Sequence, residues 1–173
     1  MKSSYARLVS IRRDLLASDA PGAVLLIRLA VGLVFLSEGV QKFLYSASLG
    51  VGRFERIGIP SPEIMAPFVG VVAITCGTLL IAGLLTRPAA VLLAITMIVA
   101  LVSTKIPILL GHGFWGFSLR SLPSYGFWSM AHESRTDLAM LLGAAFLAVA
   151  GAGRFSLDHR MTLRFEATHE RPR

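Results

Sequence analysis

The sequence predicts an all-α fold, a transmembrane four-helix bundle with both termini cytoplasmic and an amphipathic surface helix at its N-terminus. Three observations carry that expectation. The 173 residues are 54% hydrophobic and only 16% charged, whereas soluble domains are about 45–50% apolar and about 25% charged. The apolar residues gather in four runs of roughly twenty, the length a helix needs to cross about 30 Å of hydrocarbon. The basic residues stand mainly at the two ends of the chain, beside those runs, which is the positive-inside pattern of a multi-pass membrane protein.

Taken in order, residues 1–20 form a basic arm. Lys2, Arg7, Arg12 and Arg13 alternate with Tyr5, Leu8, Val9, Leu15 and Leu16 near a helical period, so the arm reads as a short helix lying on the membrane surface. A targeting peptide is the competing reading, but the apolar run that follows is too long for a signal core. Pro21 and Gly22 end the arm, and residues 21–153 form the membrane domain. Its first span runs from about 23 to 45, roughly 34 Å at 1.5 Å per residue, and contains Arg28, Glu38 and Lys42.

The loop over 46–62 carries Arg53, Glu55 and Arg56 between Leu49, Val51, Phe54 and Ile57. It reads as a short interfacial helix ended by Gly58, Pro60 and Pro62. The second span covers about 63–85, with Pro67 tolerated in its first turn. Gly70, Ala73 and Gly77 share one side of it, a spacing that lets membrane helices approach closely. A tight turn at Thr86-Arg87-Pro88 leads into the third span, about 89–110, with Lys105 near its far end.

The segment 111–131 is rich in rings: Phe114, Trp115, Phe117, Tyr125, Phe127 and Trp128. Aromatic side chains concentrate at membrane–water interfaces, so this is an interfacial flap or a binding lid. The fourth span covers about 132–151, and residues 154–173 form a basic cytoplasmic tail. An even number of spans puts both ends on one side. The basic arm, the Arg87 turn and the basic tail make that side cytoplasmic, so the 46–62 and aromatic loops face outward together.

Composition excludes several functions. The net charge is +7 and the isoelectric point about 10.5. Because the charge lies beside hydrophobic spans, the partner it implies is anionic lipid and not nucleic acid. Cys76 is the single cysteine. Thiol–disulfide exchange needs a pair, so Cys76 reads as a small packing residue. The sequence has no glycine-rich phosphate loop, nucleophile elbow or zinc motif, and no metal site is expected.

The candidates for chemistry are the ionisable residues inside spans, because each is costly there. Arg28, Phe35 and Lys42 recur every seven residues, and Glu38 falls within about 80° of that line. Arg28 is placed to snorkel to the cytoplasmic interface as an anchor. Glu38, Lys42, Lys105, Glu133, Arg135 and Asp137, with Glu63, all fall at the outward end of the spans. Such a cluster is either a set of ion pairs that fixes helix packing or a polar pocket that binds a head group and moves protons. In the second reading Glu38, Lys42, Lys105 and Arg135 bind the head group. Glu133 and Asp137, four apart on one face, exchange protons with His132 as a further donor. His112 and His132 flank the aromatic loop without a further ligand pattern.

These residues resemble the DoxX family of small bacterial membrane proteins over most of the chain, from about Leu26 to Asp158. The first span resembles it through Arg28, Gly32, Phe35, Gly39 and Lys42. The stretch CGTLLIAGLLTRPAA does so through Gly77, Gly83, Thr86, Arg87 and Ala89. The stretch YGFWSMAHESRTDLAMLLG, followed by GAGRFSLD, is the most specific of the three. The resemblance implies a four-helix transmembrane fold in the bacterial inner membrane. It also implies membrane subunits of oxidoreductases that pass electrons to quinone.

With no cofactor motif of its own, a redox role here would rest on a bound quinone or on a partner protein. The leading expectation is thus a quinone-linked oxidoreductase component, the quinone being the cofactor. The alternative is a non-catalytic anchor or assembly subunit for a partner enzyme, or a homo-oligomer, using the small-residue face around Gly77. A small-solute or proton transporter is a third, although no inverted repeat or broken helix pair is visible.

Overall fold

Apolar runs of about twenty residues satisfy their own backbone in lipid by coiling into helices. The computed structural model describes residues 21–162. Within them the chain forms α1 (Val24–Leu44), α2 (Ser46–Leu49), α3 (Val51–Ile57), α4 (Pro62–Ala82), α5 (Thr86–Leu110), α6 (Phe127–Glu133) and α7 (Arg135–Ala150). No strand occurs among the described residues, only an isolated bridge between Phe114 and Phe117. The expected surface helix over 1–20 and the end of the basic tail lie outside the described residues.

Three helices, α1, α4 and α5, are long and apolar enough to cross a membrane. Helix α7 has 16 residues, about 24 Å of rise. It follows α6 directly, with Ser134 between them. The bundle is built on two close pairs, α1 against α4 and α5 against α7. Val31, Phe35, Ala73, Leu80, Leu93, Ala144 and Leu147 fill the centre. Leu26, Phe68, Val71, Ile95, Leu142 and Val149 are more than half exposed on its outside. These are side chains that water would penalise and hydrocarbon would not.

The α1–α4 pair depends on glycine at two levels. A Cβ on Gly77 would lie 2.8 Å from both the Gly32 carbonyl oxygen and the Leu36 nitrogen, and a Cβ on Gly32 would lie 2.9 Å from the Gly77 oxygen. Seven residues along, Gly39 and Gly70 repeat the arrangement, the Gly39 position falling 2.8 Å from the Gly70 oxygen. At Gly77 every near obstacle is a backbone atom, which cannot swing away, while at Gly70 the nearest is the Phe43 ring at 2.8 Å. The expected close approach at Gly70, Ala73 and Gly77 is therefore present, but it is made within the chain. The face that an assembly partner would have used is covered by α1.

At the end where α1 begins, Arg28 departs from expectation. It does not snorkel: it is 1% exposed and points inward. Its Nε donates to the Leu80 carbonyl at 2.9 Å and its Nη2 to that of Ile81 at 2.9 Å. Its Nη1 donates to Ala152 at 2.8 Å and Phe155 at 2.7 Å. Leu80 and Ile81 end α4, where carbonyls have no partner in the helix and the dipole favours a cation. Four backbone acceptors at one guanidinium offset the cost of burying it. Gly83 leaves room for this, because a Cβ there would strike the guanidinium.

The turn between α4 and α5 also falls earlier than expected. Gly83 (φ 68°) and Leu85 (φ 49°) are left-handed, so the chain reverses there. Thr86, Arg87 and Pro88 already belong to α5, and proline is acceptable in a first turn. Leu85 supplies no side-chain cap. The carboxylate of Asp158 takes that place, accepting from the Leu85 nitrogen at 2.8 Å and the Thr86 nitrogen at 3.0 Å. The Asp158 nitrogen donates to the Gly83 oxygen at 2.9 Å. Ala152, Ser156 and Asp158 are buried, so the start of the expected tail packs onto the bundle and locks the α4–α5 turn.

Candidate functional site

The opposite end of the bundle, where α1, α5 and the aromatic loop meet, gathers the remaining charges. Helix α3 ends at Gly58, and the loop after α5 folds onto that end: the Ser118 nitrogen donates to the Ile57 oxygen at 2.7 Å. The loop is also tied to α5, with the Gly126 nitrogen donating to the Ile108 oxygen at 3.0 Å. A tight turn at Trp115 and Gly116 closes its Phe114–Phe117 bridge. Trp115 and Trp128 stay 88% and 83% exposed. The aromatic segment is thus a docked cap with two rings left outside.

Three ion pairs lie beneath and beside this cap. Lys105 Nζ is 2.9 Å from Asp137 Oδ2, with the two side chains 11% and 29% exposed. Lys42 Nζ is 3.4 Å from Glu38 Oε2 on the next turn of α1 and 3.2 Å from the Glu38 carbonyl. Arg120 Nη1, on the cap, is 3.4 Å from Glu133 Oε2. The first pair joins α5 to α7 across the bundle and is the shortest and least exposed of the three. The Arg120 side chain is 71% exposed, and a pair of that kind contributes little.

Two cavities flank the Lys105–Asp137 pair. The inner one, about 210 Å³, lies between α1, α3, α4, α5 and α7. Val34, Phe35, Phe54, Val69, Met97, Val99, Ala100 and Met140 give it apolar walls. Glu38, Lys42, Arg53, Thr136 and Asp137 supply its polar groups. The outer one, about 540 Å³, opens between α3, the end of α5 and the cap, and Lys105 lines it. Leu49, Arg53, Ile57 and Thr104 line both.

The sequence-predicted residues divide accordingly. Glu38, Lys42 and Asp137 come together around the inner cavity, and Lys105 stands behind Asp137. His132, Glu133 and Arg135 do not line either cavity. Arg135 turns back on its own helix, its Nε donating to the His132 oxygen at 2.9 Å and its Nη2 lying 3.1 Å from His132 Nε2. Glu133 faces Arg120 while Asp137 faces Lys105. The expected shared face for Glu133 and Asp137 is therefore not used as one, because Ser134 separates α6 from α7 between them. Glu63 is exposed in the first turn of α4, where an acid favours the helix dipole. His112 Nδ1 lies 2.8 Å from the Gly113 oxygen.

Sequence reasoning passed over Arg53 and Phe54 as site residues and did not weigh Thr136. A signal for Phe54 existed: it stands three residues before Ile57 on α3, so the two share an apolar face that should meet the bundle. Nothing in the sequence marks Thr136 apart from its position beside Asp137.

Comparison with known proteins adds to this geometry. The family profile described as DoxX matches residues 23–106. An uncharacterized membrane protein of Mycobacterium tuberculosis is 55% identical over 153 residues, 88% of this chain and 90% of that protein. A Bacillus subtilis protein named "Putative oxidoreductase CatD" is 34% identical over 134 residues, 78% of this chain and 83% of that one. No solved structure matches the chain.

Proposed function

The chain belongs to the DoxX family of membrane proteins, and from that premise we propose that it is the membrane component of a quinone-linked oxidoreductase system. A quinone-type head group occupies the inner cavity. The observation that carries the reading is the cavity's composition: an apolar chamber between helices with Lys42, Glu38 and Asp137 at one end. The name of the Bacillus subtilis relative points to the same class of chemistry.

The residues fit such a group in size and in polarity. Pockets for whole drug-sized ligands run to about 300–1,000 Å³. A chamber of about 210 Å³ suits a single substituted ring, with its isoprenoid tail left between helices in the lipid. Two ring carbonyls need donors, and Lys42 Nζ is within reach of the chamber while held only by the long contacts to Glu38. When bound, a quinone supplies two-electron, two-proton redox chemistry. Asp137 is placed to hold a proton on its carboxylate, whose position is fixed by Lys105 Nζ at 2.9 Å. Phe35, Met97 and Met140 exclude water from the ring.

In this reading α6 and α7 together make the fourth crossing. The helical residues 127–150, interrupted only at Ser134, rise about 36 Å, enough to span. Both termini then share a side, which the basic arm and tail assign to the cytoplasm of a bacterial inner membrane. The inner cavity lies toward the outer leaflet.

Titration of the detergent-solubilised protein with a short-chain quinone tests the proposal. Lys42→Ala and Asp137→Asn each lower the affinity about tenfold, the loss of one charge-assisted contact. Equal affinity in the parent and both variants would contradict it.

A further inference from the structure

We propose that the outer cavity is a binding site for an anionic phosphate-type group, carried by a lipid head group or free in solution. The outer cavity shares Arg53 with the inner chamber, whereas Arg56 and Arg120 line the outer one alone. Four cations line this cavity, Arg53, Arg56, Lys105 and Arg120, and no carboxylate does. Two of them are already balanced: Lys105 by Asp137 and Arg120 by Glu133. Arg53 and Arg56 have no carboxylate partner among the described residues.

Their environments differ in a way that suits an anion. Arg56 is held in place without being neutralised, its Nη1 donating to the Ala47 oxygen at 3.1 Å and its Nη2 to the Ser48 oxygen at 2.9 Å. Arg53, three residues earlier on α3, has its backbone nitrogen bonded to the Gly50 oxygen at 3.0 Å, but its side chain makes no hydrogen bond among the described residues and stands where the two cavities meet. A guanidinium presents donors in a planar fork that matches the oxygens of a phosphate. Like charges held on one wall repel one another, and a bound anion removes that repulsion.

Ser118 and Ser121 on the cap add hydroxyl donors to the same cavity. At about 540 Å³ it exceeds what a bare ion needs, which leaves room for the glycerol portion of a phospholipid. The cap that lines the cavity through Ser118, Leu119, Arg120 and Ser121 also carries the exposed ring of Trp115, a residue type that sits at head-group depth.

Two measurements on the purified full-length protein test this. Native mass spectrometry after exchange into mixed phosphatidylglycerol and phosphatidylcholine reports a lipid source. Thermal unfolding in lipid-free detergent with added inorganic phosphate reports a free anion. Retention of phosphatidylglycerol over phosphatidylcholine, or a melting temperature raised by phosphate, supports the site if the effect falls about tenfold in Arg53→Gln. The Arg53 side chain makes no hydrogen bond among the described residues, so that variant folds; Arg120→Gln, at an exposed side chain, gives a second reading of the same site. Arg154→Gln, exposed at the opposite end of the bundle, serves as the control and changes neither signal. The site is overturned if neither probe is preferred, or if Arg154→Gln weakens binding as much as Arg53→Gln.

Discussion

Lys105 Nζ and Asp137 Oδ2 lie 2.9 Å apart on different helices and belong to different cavities, the lysine to the outer and the aspartate to the inner. The pair is at once a tie between α5 and α7 and the wall between the two chambers. Its two members should therefore be coupled in stability and in binding.

A double-mutant cycle measures that coupling. Lys105→Met and Asp137→Asn each leave a partly buried partner unmatched, and the double variant removes both. The combined loss in unfolding free energy should be smaller than the sum of the single losses by about 1–3 kcal/mol, as for residues in contact. Additive losses would mean that the pair contributes nothing to the bundle.

Arg28 anchors the opposite end. Arg28→Lys keeps the charge but presents one ammonium where a planar group reached four carbonyls. Arg28→Met leaves all four without a donor. A buried acceptor left unsatisfied costs about 1–3 kcal/mol, so Arg28→Met should unfold at markedly lower temperature in detergent, with Arg28→Lys between it and the parent. A melting temperature unchanged in Arg28→Met would show that the carbonyls find other donors.

Asp158 caps a helix from outside it. Asp158→Ala removes both acceptors from the start of α5 and should cost about 1–2 kcal/mol, the usual loss for a cap. Hydrogen exchange should rise at the Leu85 and Thr86 amides and stay constant at the far end of α5. Uniform exchange along α5 would contradict a local capping role.

Gly77→Leu forces a side chain into the α1 backbone. Strain from overpacking costs about 1–3 kcal/mol and should loosen α1 from α4. A disulfide engineered across that pair should then form more slowly than in the parent. The same variant tests whether the glycine face serves a partner. If stability is unchanged and only assembly with another protein is lost, the face is not committed to α1.

These residues show what a sequence can disclose. The spans were legible because hydrophobic length is a local property: α1, α4 and α5 fall within a few residues of their expected limits. The helical stripe through Arg28, Phe35 and Lys42 and the small-residue face at Gly70, Ala73 and Gly77 were legible for the same reason. What those stripes meet was not. The partners of Arg28 lie 52 to 127 positions away, and a buried arginine looks like a snorkelling one until its acceptors are known. Asp158 was read as the end of a motif, and its role appears only when the chain folds back onto Leu85.

At the other end Glu38, Lys42, Lys105 and Asp137 were legible as a cluster because depth in a bilayer follows from position along each span. His132, Glu133 and Arg135 share that depth, but the direction of their side chains is set by Ser134 and the cap, which periodicity does not reveal.

Native mass spectrometry of the protein gently extracted from its own membrane tests the proposed function most directly. A mass increment matching a quinone is expected, lost in Lys42→Ala and in Asp137→Asn. A parent chain that carries no quinone, or one that all three forms retain equally, would contradict it.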